Sequence, residues 1–554
     1  MKYIFTITIA IAVLGSFAQE KYWVYFSDKN GVSFNPNEYF HPKAIERRLK
    51  INYPINHFSD WPVVQNYLDE VIQLSAEYKG ASRWMNAAVV MAHSHQIEKI
   101  RQLSFVRKIE TFAYSSELCI SDEIDVTNNE FEKKDLIRFQ LDRMNAQKFV
   151  KHGITGEGMT IAIFDAGFPG VNKAPMFDHI RAREGIKGTY DFIRNTENVY
   201  RKIAHGSMVL SCIAGVTEDS LNIGAATDAN FLLAITEKLM KEGLAEEEAW
   251  LFAAEWADKN GADIINSSLG YTRRNHFKLD MDGHTTIITR AANLASSKGI
   301  LVVSAAGNEG NKRHWMMVAA PADGDSVLAV GAINPWSGFH TVFSSFGPSS
   351  DKQLKPNVTA VGHVIAYNET KTMSETQGTS FSAPLISGFA ACAWQANPHL
   401  TNWELMDRIE ISGDLYPYFD YAHGYGVPQA DYFLNADTEK SIDSVFIVDI
   451  GDSAVIISIR NEFLIPDTLF HLPENHEGVA RMITKKDEGV TIDENHPFIK
   501  HELFYYHLEN GDGFLDEFSV IAVSENPIAT IDLFSLRGKT LRFHYLGNTR
   551  ELKF

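Results

Sequence analysis

Gly378-Thr379-Ser380-Phe381-Ser382-Ala383-Pro384 is the stretch on which the reading of this chain turns. Behind it, Leu385, Ile386, Phe389 and Ala390 recur at helical spacing, so the segment enters a helix with Ser380 at its mouth. Pro384 is expected in the first turn, which needs no intrahelical N–H bond, and Gly378 allows close approach of backbone or substrate. A helix start gathers unpaired N–H groups and positive partial charge, which suits an oxyanion forming on a carbonyl attacked there. Taken alone, Gly-Thr-Ser at a helix start is a cap.

Three further segments change that reading. Asp165 closes an apolar strand over 159–164, at the carboxyl end where open α/β sheets place their sites, and Ala166-Gly167 turn the chain away. His205 begins His205-Gly206-Ser207-Met208-Val209-Leu210, an apolar helical stretch that projects the imidazole from its first turn. Asn308 lies in Ala305-Ala306-Gly307-Asn308-Glu309-Gly310, directly after a strand over 300–304. Singly, these are a turn carboxylate, a helix-end histidine and a loop asparagine. Together they meet a chemical need. A serine hydroxyl needs a base, the base needs a partner that fixes its tautomer, and an oxyanion needs a donor. Ser380 is thus the candidate nucleophile, His205 the general base, Asp165 its orienting carboxylate and Asn308 the oxyanion donor.

Outward from these segments, short apolar runs at 159–164, 230–235, 263–266, 300–304 and 327–331 alternate with helical patterns at 244–259 and 286–297. That alternation predicts an α/β unit with a parallel sheet covered on both faces. Upstream, strands are expected at 22–26, 87–92 and 105–112, helical character at 42–49, and a helix capped by Ser94 carrying Ile97, Ile100 and Leu103. Residues 115–134 read as an acidic exposed linker, the kind of segment that gets cut. After about Asn435 the helices stop, and runs at 444–448, 454–459, 504–507 and 518–523 predict an all-β module. The expected division is 1–18 signal peptide, 19–135 N-terminal α+β unit and linker, 136–435 α/β unit, and 436–554 β unit.

The 554 residues are 45% hydrophobic with a net charge of −19, which disfavours nucleic acid and anionic membrane as partners. Residues 1–18 hold one lysine, an apolar run from Ile4 to Leu14 and small residues at Ser16 and Ala18, the pattern of an export signal. The run is too short to span a bilayer, so a secreted protein without a transmembrane anchor is expected. Cys119, Cys212 and Cys392 are too few and too scattered for a disulfide framework.

In the order Asp, His, Asn, Ser, the four segments resemble the subtilisin-like serine peptidases over about 140–435. The family's Asp-Thr/Ser-Gly stands here as Asp165-Ala166-Gly167, its His-Gly-Thr as His205-Gly206-Ser207, its Ala-Ala-Gly-Asn as Ala305 to Asn308, and its Gly-Thr-Ser-x-Ala-Ala-Pro as Gly378 to Pro384 with Ser382 for the first alanine. The resemblance implies a subtilisin-like fold and a secreted serine endopeptidase made as a zymogen, acting on polypeptide substrates. It implies that Ser268, Leu269 and Gly270 pair with substrate backbone, and that Ala305, Ala306 and Gly307 shape the pocket opposite. The unit ending near Phe112 is then a propeptide and intramolecular inhibitor, cut between Cys119 and Leu136, leaving Cys212 and Cys392 as buried free thiols. No cofactor is implied for the chemistry. Relatives hold structural calcium, but Asp280-Met281-Asp282-Gly283 reads as an Asp/Gly turn because Ala291 stands where an EF-hand's bidentate glutamate would be. Two departures are expected to act on alignment and packing rather than remove a reacting group: Ala166 beside the aspartate and Leu210 on the histidine helix.

Residues 531–541 weakly resemble the strand-turn-strand of type IX secretion sorting domains, although the later Gly-x-Tyr strand is not evident; a plain β-sandwich is the alternative. Two rival functions use the same residues, namely a non-catalytic binding protein on this scaffold and an adhesion protein whose β module does the work.

Overall fold

The computed structural model describes residues 19–111, 130–201, 203–237, 245–272, 276–370, 372–434, 445–464, 468–470, 498–500, 502–524 and 526–554. The predicted signal peptide, the predicted cut site up to residue 129, Cys119 and the junction at 435–444 lie outside them.

The central sheet has seven strands in the order β11-β10-β9-β8-β5-β7-β6, all parallel. These are β5 (Thr160–Asp165), β6 (Ile186–Asp191), β7 (Asn230–Ile235), β8 (Ile264–Ser267), β9 (Leu301–Ala305), β10 (Val327–Ile333) and β11 (Val358–Val361). Alternation along β5 shows why its sequence is continuously apolar. Ile161 and Ile163 enter one core with the His205–Ala214 and Thr379–Ala396 helices, while Ala162 and Phe164 enter a second with Ala245–Lys259 and Ile287–Ser297. Five of the seven strands were legible as apolar runs. The other two, β6 and β11, are a polar-flecked edge and a four-residue strand, too weak to carry a pattern.

Before it stands a four-stranded antiparallel sheet, β2-β3-β1-β4, built from β1 (Glu20–Phe26), β2 (Glu77–Ser82), β3 (Ala87–Ala92) and β4 (Val106–Thr111). Both faces of β1 are used. Tyr22, Val24 and Phe26 pack with the helices Gln65–Leu74 and Ser94–Arg101, and Trp23 and Tyr25 join the core of the central unit. The N-cap of the Ser94–Arg101 helix is His93, not the expected Ser94, because the Gln96 side chain reaches back to the His93 N–H at 2.9 Å.

The C-terminal unit pairs Phe446–Ile450, Ala454–Ile459 and Ile528–Asp532 in one sheet, and Leu515–Ala522, Leu503–Glu509, Thr540–Tyr545 and Asn548–Lys553 in a second. Phe446, Val455 and Ile531 from the first share a core with Phe504, Leu541 and Phe543 from the second, which makes a two-sheet sandwich. A strand does follow Thr540–Tyr545, through a tight turn at Leu546-Gly547, although it lacks the Gly-x-Tyr pattern.

The sandwich meets the central unit at a buried polar cluster. His423 Nδ1 lies 3.1 and 3.0 Å from the Asp420 carboxylate oxygens, the His340 N–H donates to His423 Nε2 at 3.1 Å, and the His340 ring packs 4.4 Å from Phe346 and 5.9 Å from Phe518. Burial, reinforced by the neighbouring His423 ring, pushes the His340 imidazole down to about 3. It is therefore neutral when folded but takes up a proton near pH 6.5 when unfolded. Stability from this site is complete above pH 6.5 and falls as pH drops toward 3, by up to about 1.4 kcal/mol per unit. In a Ser380→Ala background, stability to urea should decline from pH 6.5 to 4.5, and His340→Phe should flatten that decline; parallel curves would show that His340 does not carry it.

Candidate active site

Asp165 ends β5 and is fully buried. Its Oδ1 accepts the Ala166 N–H at 2.7 Å, and His205 Nδ1 lies 2.9 Å from Oδ1 and 3.0 Å from Oδ2. A side-chain hydroxyl at 166 is therefore not required to hold the carboxylate, since the backbone does so. Burial alone would lower the His205 pKa, but the charge and hydrogen bond of Asp165 outweigh it and hold the imidazole above its ordinary value. With Nδ1–H donating to Asp165, the neutral ring presents Nε2 as an acceptor. That Nε2 is buried and has no hydrogen-bond partner among the described residues, so the bond to Ser380 is not formed in this structure. Sites of this kind often tighten such a contact only when substrate binds. The His205 ring lies 5.5 Å from Phe381, next to Ser380.

Close backbone contact brings these groups together. A Cβ on Gly206 would sit 2.5 Å from the Gly167 carbonyl oxygen and 2.7 Å from the Phe168 ring, so only glycine lets the histidine helix seat against the loop that follows Asp165.

Gly378, at φ +145°, turns the chain into the Thr379–Ala396 helix, with Ser380 its second residue. The Ser380 N–H is one of the first-turn donors that no intrahelical carbonyl reaches. Pro384 is the sixth residue, beyond the first turn where it was expected. Its missing N–H leaves the Ser380 carbonyl without the usual helical partner. Asn308 follows β9, and its Oδ1 accepts both the Thr379 N–H at 3.0 Å and the Thr379 hydroxyl at 2.8 Å. Those two donors orient the amide and leave its NH2 as the free donating end.

Facing segments lie on either side of this point. Ser268, Leu269 and Gly270 continue beyond β8, and their main-chain groups make no hydrogen bond among the described residues, which leaves them available to an extended peptide. Opposite, the scaffold uses the main chain: the Ala306 N–H donates to Val330 at 2.9 Å, its carbonyl accepts from Ala319 at 3.0 Å, and the Gly307 carbonyl accepts from Ser345 at 2.9 Å. Ala305, Ala306 and Gly307 thus form a wall rather than a pairing edge. A Cβ on Gly270 would reach within 4.0 Å of Gly307 Cα, so the two segments face each other closely.

Three supporting residues were not singled out from sequence. Thr379 fixes the Asn308 amide, while Asn266 takes the Ser387 hydroxyl at 2.9 Å and donates to Ser268 Oγ at 3.0 Å, tying helix, strand and cleft edge together. Adjacency to Ser380 could have flagged Thr379. The link through Asn266 spans 121 residues and has no local signal. Leu210 is fully buried in the core behind the histidine helix, and Ser382 donates to the Val361 carbonyl at 3.1 Å. Cys212 and Cys392 are free and buried, and burial pushes the Cys212 thiol up to about 12. Asp282 accepts from the His284 and Thr285 N–H groups at 3.0 and 2.8 Å.

A parallel α/β sheet carrying Asp, His, Asn and Ser at its carboxyl edge and at the helices that start there is the architecture of subtilisin-like proteins. Residues 156–426 match the subtilase family, and residues 21–129 match the Peptidase S8 propeptide domain of Bacteroidota. Subtilisin NAT of Bacillus subtilis subsp. natto is 29% identical over 281 residues, covering 50% of this chain and 65% of that protein. Subtilisin of Bacillus pumilus is 28% identical over 281 residues, covering 50% and 90%. A thermostable alkaline protease of Halalkalibacterium halodurans is 29% identical over 266 residues, covering 48% and 65%. The chain thus spans 65% of the length of the first and third of these. It carries a subtilase domain, with a Peptidase S8 propeptide domain ahead of it.

Gly206→Ala should push the histidine helix off the Asp165 loop. We expect loss of the low-field Nδ1 proton resonance of His205 and a stability loss of about 1–3 kcal/mol; an unchanged resonance would show that the contact does not set the Asp165–His205 pair.

Proposed function

We propose that this chain is a serine endopeptidase that hydrolyses peptide bonds of polypeptide substrates through an acyl-enzyme on Ser380. The observation that carries this reading is the His205 imidazole, bonded through Nδ1 to buried Asp165 and offering an unpaired Nε2 beside the helix mouth that holds Ser380. A peptide extended along Ser268–Gly270 presents its carbonyl carbon to Ser380 Oγ. His205 Nε2 takes the hydroxyl proton as the carbon–oxygen bond forms, and Asp165 stabilises the resulting imidazolium. The Asn308 NH2 and the Ser380 N–H donate to the oxyanion. His205 then gives its proton to the leaving amine, and water repeats the sequence in reverse to release the second peptide. These steps use side chains, backbone and water and call on no cofactor; any calcium is proposed to be structural.

The same reading makes the chain an exported precursor. Its support is the export pattern of residues 1–18, the propeptide match over 21–129, and the lack, among the described residues, of any helix long and apolar enough to cross a membrane. The propeptide acts as an intramolecular inhibitor until the linker before Leu136 is cut, and the C-terminal sandwich serves sorting or accessory binding.

A fluorophosphonate probe, with chain lengths read by mass spectrometry, tests the core of this. Wild type should be labelled at Ser380 and shortened at its N-terminus, and Ser380→Ala should show neither. A folded, processed wild type that takes no label would favour the binding-scaffold reading. Asn308→Ala should lower kcat by about 10²- to 10³-fold with little change in KM. Because the general base must be neutral and its pKa is raised, kcat/KM should fall with acidification through a midpoint above 6.5. Asp165→Asn should lower both that midpoint and the rate, the latter by about 10⁴-fold; a midpoint that does not move would remove Asp165 from the pair.

A further inference from the structure

The strand order puts different chemistry on the two sides of the free edge at Ser268–Gly270. That edge continues β8, which is flanked by β9 on one side and by β5, then β7, on the other. The β9 side carries the wall at Ala305–Gly307. The β7 side carries buried carboxyl groups that the peptidase steps do not use. Glu237 lies two residues past the end of β7, and Glu246, Glu247 and Glu248 stand in the first turn of the helix Ala245–Lys259. Thr236, next to Glu237, donates its N–H to the Asp165 carbonyl at 3.0 Å, which fixes this group at the carboxyl edge of the sheet. Acidic residues at a helix start meet the dipole and are ordinary when exposed. These four are only 2–7% exposed, and Glu237 lies outside the helix.

Two of the four have cationic or polar neighbours. Glu247 Oε1 lies 2.8 Å from His276 Nε2, and Glu248 accepts from Lys21 Nζ at 2.7 Å. Lys21 belongs to the propeptide domain, so a lysine from outside the subtilase domain already sits on this turn. Glu237 Oε2 and the Tyr271 hydroxyl, by contrast, are buried and have no hydrogen-bond partner among the described residues. Tyr271 directly follows Gly270, and Ala320 holds its main chain through bonds of 2.9 and 3.1 Å. Burial, then the charges of Glu246, Glu237 and Glu247, hold its phenol well above the ordinary value, which places the hydroxyl among those carboxyl groups. Burial and the charges of Glu246 and Asp165 likewise push the Glu237 carboxyl up. Buried polar atoms left in this state are costly until a donor arrives. A metal's ligand atoms converge, and among the described residues the group that does so, within 4.8 Å, is a different one, His284, Asp325 and Asp351. The complement of the Glu237 group is instead a long side chain that ends in a cation.

Successive side chains of an extended peptide point to opposite sides. With the side chain of the acyl residue toward the β9 wall, those of the second and fourth residues before the scissile bond, counting the acyl residue as the first, turn toward β7. We propose that Glu237, Tyr271 and the glutamates beside them form a subsite for a lysine or arginine at one of these two positions, with Glu237 the main acceptor. This subsite rests on the peptidase reading, and fluorogenic peptides that differ only at the two positions separate them. In wild type, lysine or arginine should raise kcat/KM at least about 10-fold over norleucine, which has the stem without the charge, and glutamate should lower it. Equal cleavage of the lysine and norleucine peptides overturns the subsite and leaves the peptidase reading standing. No cleavage of any peptide, with no fluorophosphonate label, removes the peptidase reading and the subsite with it. Ratios between peptides on one enzyme do not depend on how much of a variant folds. Glu237→Gln should bring the lysine-to-norleucine ratio within about 3-fold, and Tyr271→Phe should lower it less. Glu237→Lys should reverse the order of the lysine and glutamate peptides. A ratio that Glu237→Gln leaves unchanged would remove Glu237 as the acceptor.

Discussion

A carboxylate buried at the end of a central strand constrains everything around it. Asp165 has no exposure to water, and an unpaired charge in such a place costs several kcal/mol. Its oxygens are met by the Ala166 N–H and the His205 imidazole, which must therefore be held in place by the fold. That need explains the close glycine contact between the 167 loop and the histidine helix. It also explains why the helices of His205 and Ser380 pack on the same face of the sheet, in one core with β5. The histidine ring is pinned at one nitrogen and offers the other to the helix mouth.

The second layer of organisation is the division of hydrogen-bonding duty along the cleft. The main chain at 306–307 is spent on the scaffold, while that at 268–270 makes no hydrogen bond among the described residues. One wall is consequently rigid, and the other can add a strand. Asn266 links the free edge to Ser387, on the helix that begins beside Ser380, so displacement of either is resisted by the other. Such satisfied buried networks fix a single arrangement rather than add much net stability.

The N-terminal domain divides in a similar way. Alternation along β1 gives one face to its own helices and the other to the subtilase domain, so this sheet has no solvent-facing side at that strand. The stretch over 35–61 adds a polar contact of a different character, in which buried charges satisfy one another: Arg48 meets Asp258, and Lys298 meets Asp60. An apolar face and a charged contact together join the N-terminal domain to the subtilase domain.

Much of this was legible in the residues. Continuous apolar runs gave five of the seven central strands because strands buried on both faces leave no room for polar residues. Gly-Thr-Ser, His-Gly-Ser, Ala-Ala-Gly-Asn and the aspartate at a strand end named the candidate site residues, since each motif carries its signal within a few neighbours. What the sequence could not settle involves partners distant along the chain. The pairing of His205 with Asp165 spans 40 residues, the Asn308 amide is oriented from 71 residues away, and the Arg48–Asp258 contact spans 210. Pro384 illustrates the limit at short range: its place one turn deeper than expected depends on where the helix starts, and that start is at Gly378, whose φ of +145° turns the chain into it. Local pattern determines which groups can react and which segments form strands; only tertiary packing decides which carboxylate a histidine meets, because that meeting is made by backbone contact between elements that share no sequence neighbourhood.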